Sequence, residues 1–447
     1  MWEKFRQQWY LVFAHYFAFW ARRVLGSWRP EIILVSGSSG KTTVFYLLKA
    51  QLGDRAEYAE HANSAFGIPF AILGLKRRTY SKWEWLKLFL QAPFCIGAAA
   101  GRKGIYVVEA DAELPGEAEF IQKLLRPEYV ILTNVFQTHA MWFDKLVHAG
   151  QYRRPLEAIG DEFVKYLRGA RRRAIINADS KPLMAAIERA NFDEKITKNF
   201  VYLRREDYLV DYKITSKSSQ FVINGKTYAL PYFLPRAVSF GLAAVQQVMT
   251  DLAQNLDESY SQYYLPPGRS TILAGVKNTT LIDSSYNANL GSMKAMLQSF
   301  EEYPAEKKWL VLGEFREQGD ESQSQHEKLA DYLLTMKTID QLILVSGELS
   351  AWVYPRLVAE WGAARVHKFN DAGAAYGWLS EHIGGGETIL IKGSQGRHLE
   401  GIVEGLLENK DDVSRLSCRE AVFRPVQEKI LSCRWQAKEQ APETQEE

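Results

Sequence analysis

The stretch Ile33-Leu-Val-Ser-Gly-Ser-Ser-Gly-Lys-Thr-Thr43 constrains this chain more than any other. Ile32 to Val35 is an apolar, β-branched run that reads as a buried strand, Gly37 and Gly40 mark a tight loop, and Val44 to Leu52 reads as a helix. That order makes a phosphate cradle. Backbone N–H groups of Gly37, Ser38, Ser39 and Gly40 sit where a helix N-terminus attracts an anion. Lys41 neutralises terminal phosphate charge, and the hydroxyl of Thr42 or Thr43 can ligate Mg²⁺. The longer pattern, with a glycine five residues before Gly40, fails because Val35 stands there; G-x-x-G-K-T-T is the form present.

A chain of 447 residues suffices for two or three domains, each with its own core. Its 47% hydrophobic and 24% charged residues are ordinary for a globular protein. A formal charge of +2 argues against a dedicated nucleic-acid binder, and Arg171-Arg-Arg173, the one tight basic cluster, reads as a solvated helix end. Cys95, Cys418 and Cys433 are widely spaced, with no C-x-x-C pair and no signal-peptide pattern, so a cytoplasmic location is expected. The longest apolar run, Trp9 to Ala21, is interrupted by His15 and is too short for a spanning helix of about 20 residues.

Residues 1–29 place Trp2, Phe5, Trp9, Val12, Phe13, Tyr16 and Trp20 at helical spacing, with Arg22 and Arg23 following. An aromatic amphipathic helix is expected there, either packed on the body of the protein or serving a peripheral membrane surface or a protein partner. Trp83 to Ala100 reads as a second aromatic helix. Strands are expected at Ile105–Glu109, Tyr129–Leu132 and Ala174–Asn177, each ending in polar residues: Glu109 with Asp111, Thr133-Asn134 with His139, and Asn177 with Asp179. Repeated polar strand ends suggest one open parallel sheet with a ligand crevice at its carboxyl edge. Short β runs over 200–234, with a hairpin turn at Asn224-Gly225, suggest a small antiparallel insertion. A helix over Ala237–Leu252 leads to Leu265-Pro-Pro-Gly-Arg269, a hinge by its Pro and Gly content. Strands at Thr280–Asp283, Trp309–Leu312, Gln341–Val345 and Thr388–Ile391 then predict a second α/β domain. The expected fold class is α/β: a central P-loop ATPase-type domain over 30–258 with the β insertion, and a Rossmann-like C-terminal domain over 259–410. Residues 411–447 form an extension with a disordered tail.

Taken in order, Gly37-Ser-Ser-Gly-Lys-Thr-Thr43, Glu109, Thr133-Asn134 with His139, Asn177-Ala-Asp179, Pro267-Gly-Arg269, Ile282-Asp-Ser-Ser-Tyr-Asn-Ala-Asn289, Leu312-Gly-Glu-Phe-Arg-Glu-Gln-Gly319 with His326, and Lys392-Gly-Ser394 with Arg397 and Glu400 resemble the Mur ligase family. The D-S-x-Y-N-A-N and K-G-S runs are most similar to its members that add D-alanyl-D-alanine to a UDP-muramoyl-tripeptide. The resemblance implies an ATP-dependent carboxylate–amine ligase that works through an acyl phosphate. Its substrates would be a peptidoglycan-precursor-like acid and an amino acid or dipeptide. It also implies site roles. The loop amides and Lys41 hold the β- and γ-phosphates, Thr42 and Glu109 bind magnesium, and His139 sits at a second magnesium or near the acyl phosphate. Arg269 and Asp283 reach the nucleotide, Asn287 lies near its base or ribose, and Lys392 with Ser394 serves the incoming amine.

Three departures from the family pattern stand out. Only 29 residues precede the core, where the family places its UDP-binding domain. Gly160-Asp-Glu162 puts glycine at the position of the family's carbamylated lysine, which leaves either Asp161 or Glu162 as the substitute or a weak second metal. Arg236 to Phe240 replaces an H-N-x-x-N run. Two further readings follow: a ligase of the same superfamily acting on another acid, as folylpolyglutamate and poly-γ-glutamate synthetases do, and a degenerate nucleotide-binding scaffold at a membrane.

Overall fold

A computed structural model describes residues 2–60, 62–77, 82–99, 101–418, 427, 430 and 431, with the side chains of 2–9 among those left out. The chain divides into two compact units. The first comprises 1–212, 221–229 and 237–264, and the second 213–220, 230–236 and 265–447.

The first unit opens with helix α1 (Trp2–Trp28), followed by strand β1 (Glu31–Ser36) and helix α2 (Lys41–Leu52). Then come β2 (Ala56–Ala59), α3 (Gly67–Leu73), α4 (Lys82–Gln91), β3 (Ile105–Glu109), α5 (Glu117–Leu125), β4 (Tyr129–Leu132), β5 (Arg173–Asn177) and β6 (Phe200–Leu203). These strands form one six-stranded sheet in the order β2-β3-β1-β4-β5-β6, parallel throughout. Its central strands are apolar on both faces, as a sheet covered by helices on two sides requires. The chain leaves β1 toward β2 and β3 and then crosses to β4, so the loops after β1, β3 and β4 meet at one carboxyl edge, where such sheets bind ligands.

Phe200–Leu203 corrects one expectation. Instead of opening the β insertion, it closes the parallel sheet, pairing Ala174 with Phe200 and Asn177 with Leu203. The insertion proper is a small antiparallel sheet of β7 (Leu209–Ile214), β8 (Ser219–Ile223) and β9 (Lys226–Leu230). Asn224 and Gly225 both take positive φ, 49° and 78°, as a tight two-residue hairpin turn requires.

Helix α1 packs on its own unit through a face rotated from the expected stripe, of which Tyr16 and Trp20 lie half-buried against the core. Ala14, Phe17, Ala18, Ala21 and Val24 are buried, while Val12, Phe13 and Phe19 face outward. The small alanines let α1 lie close to its neighbours, and Phe17 fits between Phe70 and Phe89 at ring distances of 4.7 and 4.8 Å. Burying one phenylalanine of this kind contributes about 2–3 kcal/mol. Trp2, Phe5 and Trp9 have side chains outside the described set. The second aromatic helix is shorter than its pattern suggests: α4 gives way to 3₁₀ geometry over Ala92–Ala99, just before Pro93.

In the second unit, β10 (Thr271–Gly275), β11 (Thr279–Ser284), β12 (Lys308–Gly313), β13 (Gln341–Val345), β14 (Val366–Phe369) and β15 (Thr388–Lys392) make a sheet in the order β10-β11-β15-β12-β13-β14. Only the β10–β11 pair is antiparallel. β10 and β14 stand beyond the four strands expected for this domain. Residues 432–447, the bulk of the expected disordered tail, lie outside the described residues.

Candidate active site

The phosphate loop is held open by the loop that follows β4. Ser39 N–H donates to Asn134 Oδ1 at 3.0 Å, and Asn134 Nδ2 returns a bond to the Ser39 carbonyl at 2.9 Å. Thr133 Oγ1 donates to the same carbonyl at 2.7 Å, and Ser38 N–H reaches the Asn134 carbonyl at 3.0 Å. Asn177 supports this segment in turn, donating from Nδ2 to the Thr133 carbonyl at 2.7 Å. Gly37 is obligatory: its φ is 127°, and a Cβ there would stand 2.2 Å from Thr133 Oγ1. Gly40, also at positive φ, caps α2 and turns the first N–H groups of the helix toward the loop.

Lys41 and Thr42 begin that helix and are buried, whereas Thr43 is only half-buried. Lys41 Nζ donates to the Gly37 carbonyl and pairs with Asp111 Oδ2, both at 2.7 Å. Thr42 Oγ1 donates to Glu109 Oε2 at 2.9 Å. A hydroxyl and a carboxylate converging in this way supply the hard oxygen donors that magnesium prefers. The donor set therefore fits the ion, with Thr42 as the hydroxyl concerned.

The end of β3 supplies more than Glu109. Asp111, Glu113 and His139 bring one ligand atom each within 4.8 Å of one another, a mixed carboxylate and imidazole set that suits a divalent cation. His139 is presented by a left-handed residue, φ 55°, at the start of a short 3₁₀ turn. Burial pushes the Asp111 carboxyl up, but Lys41 and His139, with a bond from Ala112 N–H, outweigh it and hold the group below the usual carboxylate range. Glu117 is pushed the other way, to about 7, chiefly by burial. It accepts from Ala65 N–H at 2.8 Å and Glu113 N–H at 3.1 Å, tying two site loops together. The cluster was not recognised from sequence, although residues 109, 111 and 113 have the period-2 spacing that sends side chains of an extended segment to one side.

The expected stand-ins for the family's carbamylated lysine are each held by partners of their own. Asp161 pairs with Arg189 at 2.7 Å, and Glu162 accepts from Ala118 N–H at 2.9 Å and pairs with Lys165 at 2.6 Å. A Cβ at Gly160 would press on Ala186 Cβ at 3.1 Å, so this position faces a neighbouring helix.

The second unit gathers its own predicted residues. Lys392, at the end of β15, is buried and donates from Nζ to the Asn287 carbonyl at 2.8 Å, with Ser284 Oγ at 3.5 Å. Burial and the positive charge of Arg269 push the Lys392 ammonium down to about 7, against the opposing pull of Asp283. Asp283 is fully buried and accepts from Ser285 N–H at 3.0 Å. The Arg269 guanidinium lies 4.1 Å over the Tyr286 ring. Neither Asp283 nor Asn287 caps the following helix, Leu290–Glu302; Asn289 does, in a reciprocal capping box with Ser292. Ser394 Oγ donates to the Glu314 carbonyl at 2.8 Å and accepts from Arg316 N–H at 3.1 Å. Arg397 Nε is fixed on Glu314 Oε1 at 2.7 Å. His326 accepts from Phe315 N–H at 3.1 Å and contacts the Ser322 carbonyl at 2.8 Å, so it pins the 312–319 loop as a neutral imidazole. Burial pushes its pKa down accordingly.

Known proteins share both halves of this chain. The Mur ligase middle domain matches residues 35–231, and the Mur ligase, glutamate ligase domain, matches 268–395. The UDP-N-acetylmuramoyl-tripeptide–D-alanyl-D-alanine ligase of Bacillus subtilis (strain 168) is 25% identical over 407 residues, covering 87% of this chain and 78% of that protein. The ligase of the same name from Escherichia coli (strain K12) is 25% identical over 409 residues, covering 88% and 79%. Among solved structures, MurF ligase from Thermotoga maritima in complex with ADP superposes with a TM-score of 0.68 at 21% identity, covering 88% of this chain and 82% of its own. With both family domains matched in order and the loops of the sheet edge in place, the chain belongs to the Mur ligase family.

Proposed function

We propose that this protein is an ATP-dependent carboxylate–amine ligase that adds an amino acid or D-alanyl-D-alanine to a peptidoglycan precursor. The observation that carries the reading is the phosphate loop, with Lys41 braced by Asp111 and Thr42 by Glu109, in a chain matched by both Mur ligase domains. A carboxylate at neutral pH is a poor electrophile and must be activated. One of its oxygens bonds to the γ-phosphorus of ATP as the bond from that phosphorus to the β,γ-bridging oxygen breaks, releasing ADP. The amine nitrogen then bonds to the acyl carbon, phosphate leaves, and the amine gives up a proton.

The amides of residues 37–43 and the Lys41 ammonium bind and orient the β- and γ-phosphates. Thr42 and Glu109 are assigned to one Mg²⁺, and His139, with Asp111 and Glu113, to a second. Magnesium held by these residues would supply charge neutralisation and Lewis-acid polarisation at the phosphates. Arg269, Asp283 and Asn287 are assigned to the nucleotide. Lys392 is assigned to the incoming amine: its depressed pKa makes it a fitting acceptor of the amine's proton near neutral pH. The enzyme is placed in the cytoplasm, at the inner face of the membrane.

The test is phosphate release by the purified full chain given ATP, Mg²⁺, UDP-muramoyl-tripeptide and D-alanyl-D-alanine. Release that needs both substrates and is lost in Lys41→Ala is the expected result. Release only with a folate or a γ-glutamyl acid would transfer the protein to the branch acting on other acids. Nucleotide binding without release for any acid would leave a scaffold.

A further inference from the structure

The first unit carries an apolar surface that the ligase reaction does not use. On α4 and the 3₁₀ segment after it, Trp83, Leu90 and Phe94 are 80%, 63% and 87% exposed, with Leu86 exposed between them. Spacings of three and four residues place Trp83, Leu86 and Leu90 along one stripe of α4, and Phe94 lines the same groove as all three. Helix α1 extends the patch: Phe13 packs edge-on to Phe89 of α4 at 5.7 Å and remains exposed, as do Val12 and Phe19. Apolar surface this extensive on a water-facing helix pair marks an interaction site.

Charge identifies the occupant. Residues 2–29 and 71–104 contain twelve lysines and arginines against only Glu3 and Glu84, a local charge of +10 in a chain whose total is +2. The remaining residues therefore sum to −8. The cations accompany the aromatic rings: Arg23 lies 3.8 Å over Phe19, Arg77 5.7 Å from Trp85, and Arg102 4.8 Å from Trp28. Beside the stripe, an open groove of about 640 Å³ is lined by Leu75, Trp83, Leu86, Leu90 and Phe94, with Lys76 and Lys87 also on its wall. Among the described residues no helix is long and apolar enough to cross a membrane.

We propose that the α1–α4 face docks on an anionic lipid bilayer, with Trp83, Leu90 and Phe94 in the headgroup–acyl boundary and the surrounding lysines and arginines on lipid phosphates. This refines the peripheral placement given above and shifts its centre from residues 1–29 to α4. It stands independently of the acid or amine used by the ligase, because its readout is vesicle binding alone.

The experiment is flotation of the full chain with vesicles of phosphatidylcholine, with or without about one-third phosphatidylglycerol. The protein is expected to float with the anionic vesicles, to remain below with the neutral ones, and to be released by about 0.5 M salt. Trp83→Ser/Phe94→Ser is expected to weaken partitioning by about tenfold or more with nucleotide binding unchanged. Lys76→Glu/Lys87→Glu is expected to abolish the preference for anionic lipid. Failure to float with either vesicle overturns the proposal. So does a dimer in sedimentation that Trp83→Ser/Phe94→Ser converts to monomer without any vesicle binding, since a second copy would then cover the face.

Discussion

Replacing Lys392 by methionine should change how stability depends on pH. A lysine ordinarily titrates at 10.5; burial beside Arg269 brings Lys392 to about 7, and Asp283 compensates only in part. That displacement corresponds to about 5 kcal/mol between the protonated and neutral forms. The sign follows from proton counting. Between the folded value near 7 and the unfolded value near 10.5, the unfolded chain binds the extra proton, so stability rises with pH across that window. Below pH 7 both states are protonated, and the full penalty of a buried ammonium remains. Integrated from about pH 6 to about pH 9, the native chain should gain about 3 kcal/mol from this residue. Urea unfolding of the full chain at several pH values, compared with Lys392→Met, isolates the contribution. The variant should lose that part of the slope, because methionine has no proton to bind in either state. Identical slopes in the two proteins would refute the argument, and would also remove the ground for treating Lys392 as a proton acceptor near neutrality.

Gly37→Ala should place a methyl group 2.2 Å from Thr133 Oγ1 in a left-handed backbone. It should cost about 2–4 kcal/mol locally and lower ATP affinity by at least about tenfold, measured by calorimetry, with the circular dichroism unchanged. Glu109→Gln keeps the shape around Thr42 but removes the charge, so the Mg²⁺ concentration supporting half-maximal phosphate release should rise by about tenfold or more. Asn289→Ala should lose the capping box and destabilise the second unit by about 1 kcal/mol, whereas Asn287→Ala should leave urea unfolding unaltered, because among the described residues its side-chain oxygen accepts from the adjacent Ala288 N–H alone.

Much of the site was legible in the sequence because its chemistry is local. The phosphate loop, Glu109 at its strand end and the Lys392-Gly-Ser394 run each occupy a few consecutive residues whose types can be read directly. Asp111 was visible as an acid, but its pairing with Lys41 required the parallel register of β1 and β3, which sets Val35 beside Glu109. Asn134 was noted as a strand end, yet its double hydrogen bond to Ser39 spans 95 positions and depends on β4 lying next to β1. For Asp161 and Glu162 the sequence position is visible but their partners are not: Arg189 pairs with Asp161, and the N–H of Ala118 donates to Glu162.

The sequence by itself determined the α/β alternation, the strand–loop–helix cradle with Lys41 at its tip, and the aromatic character of the first 29 residues, since all of these depend on residue type and short-range periodicity. Tertiary structure alone decided which face of α1 is buried, where β6 belongs, and that Asp111, Glu113 and His139 converge. Those outcomes rest on strand order and on helices competing for the same apolar surface. Residues distant in sequence settle both.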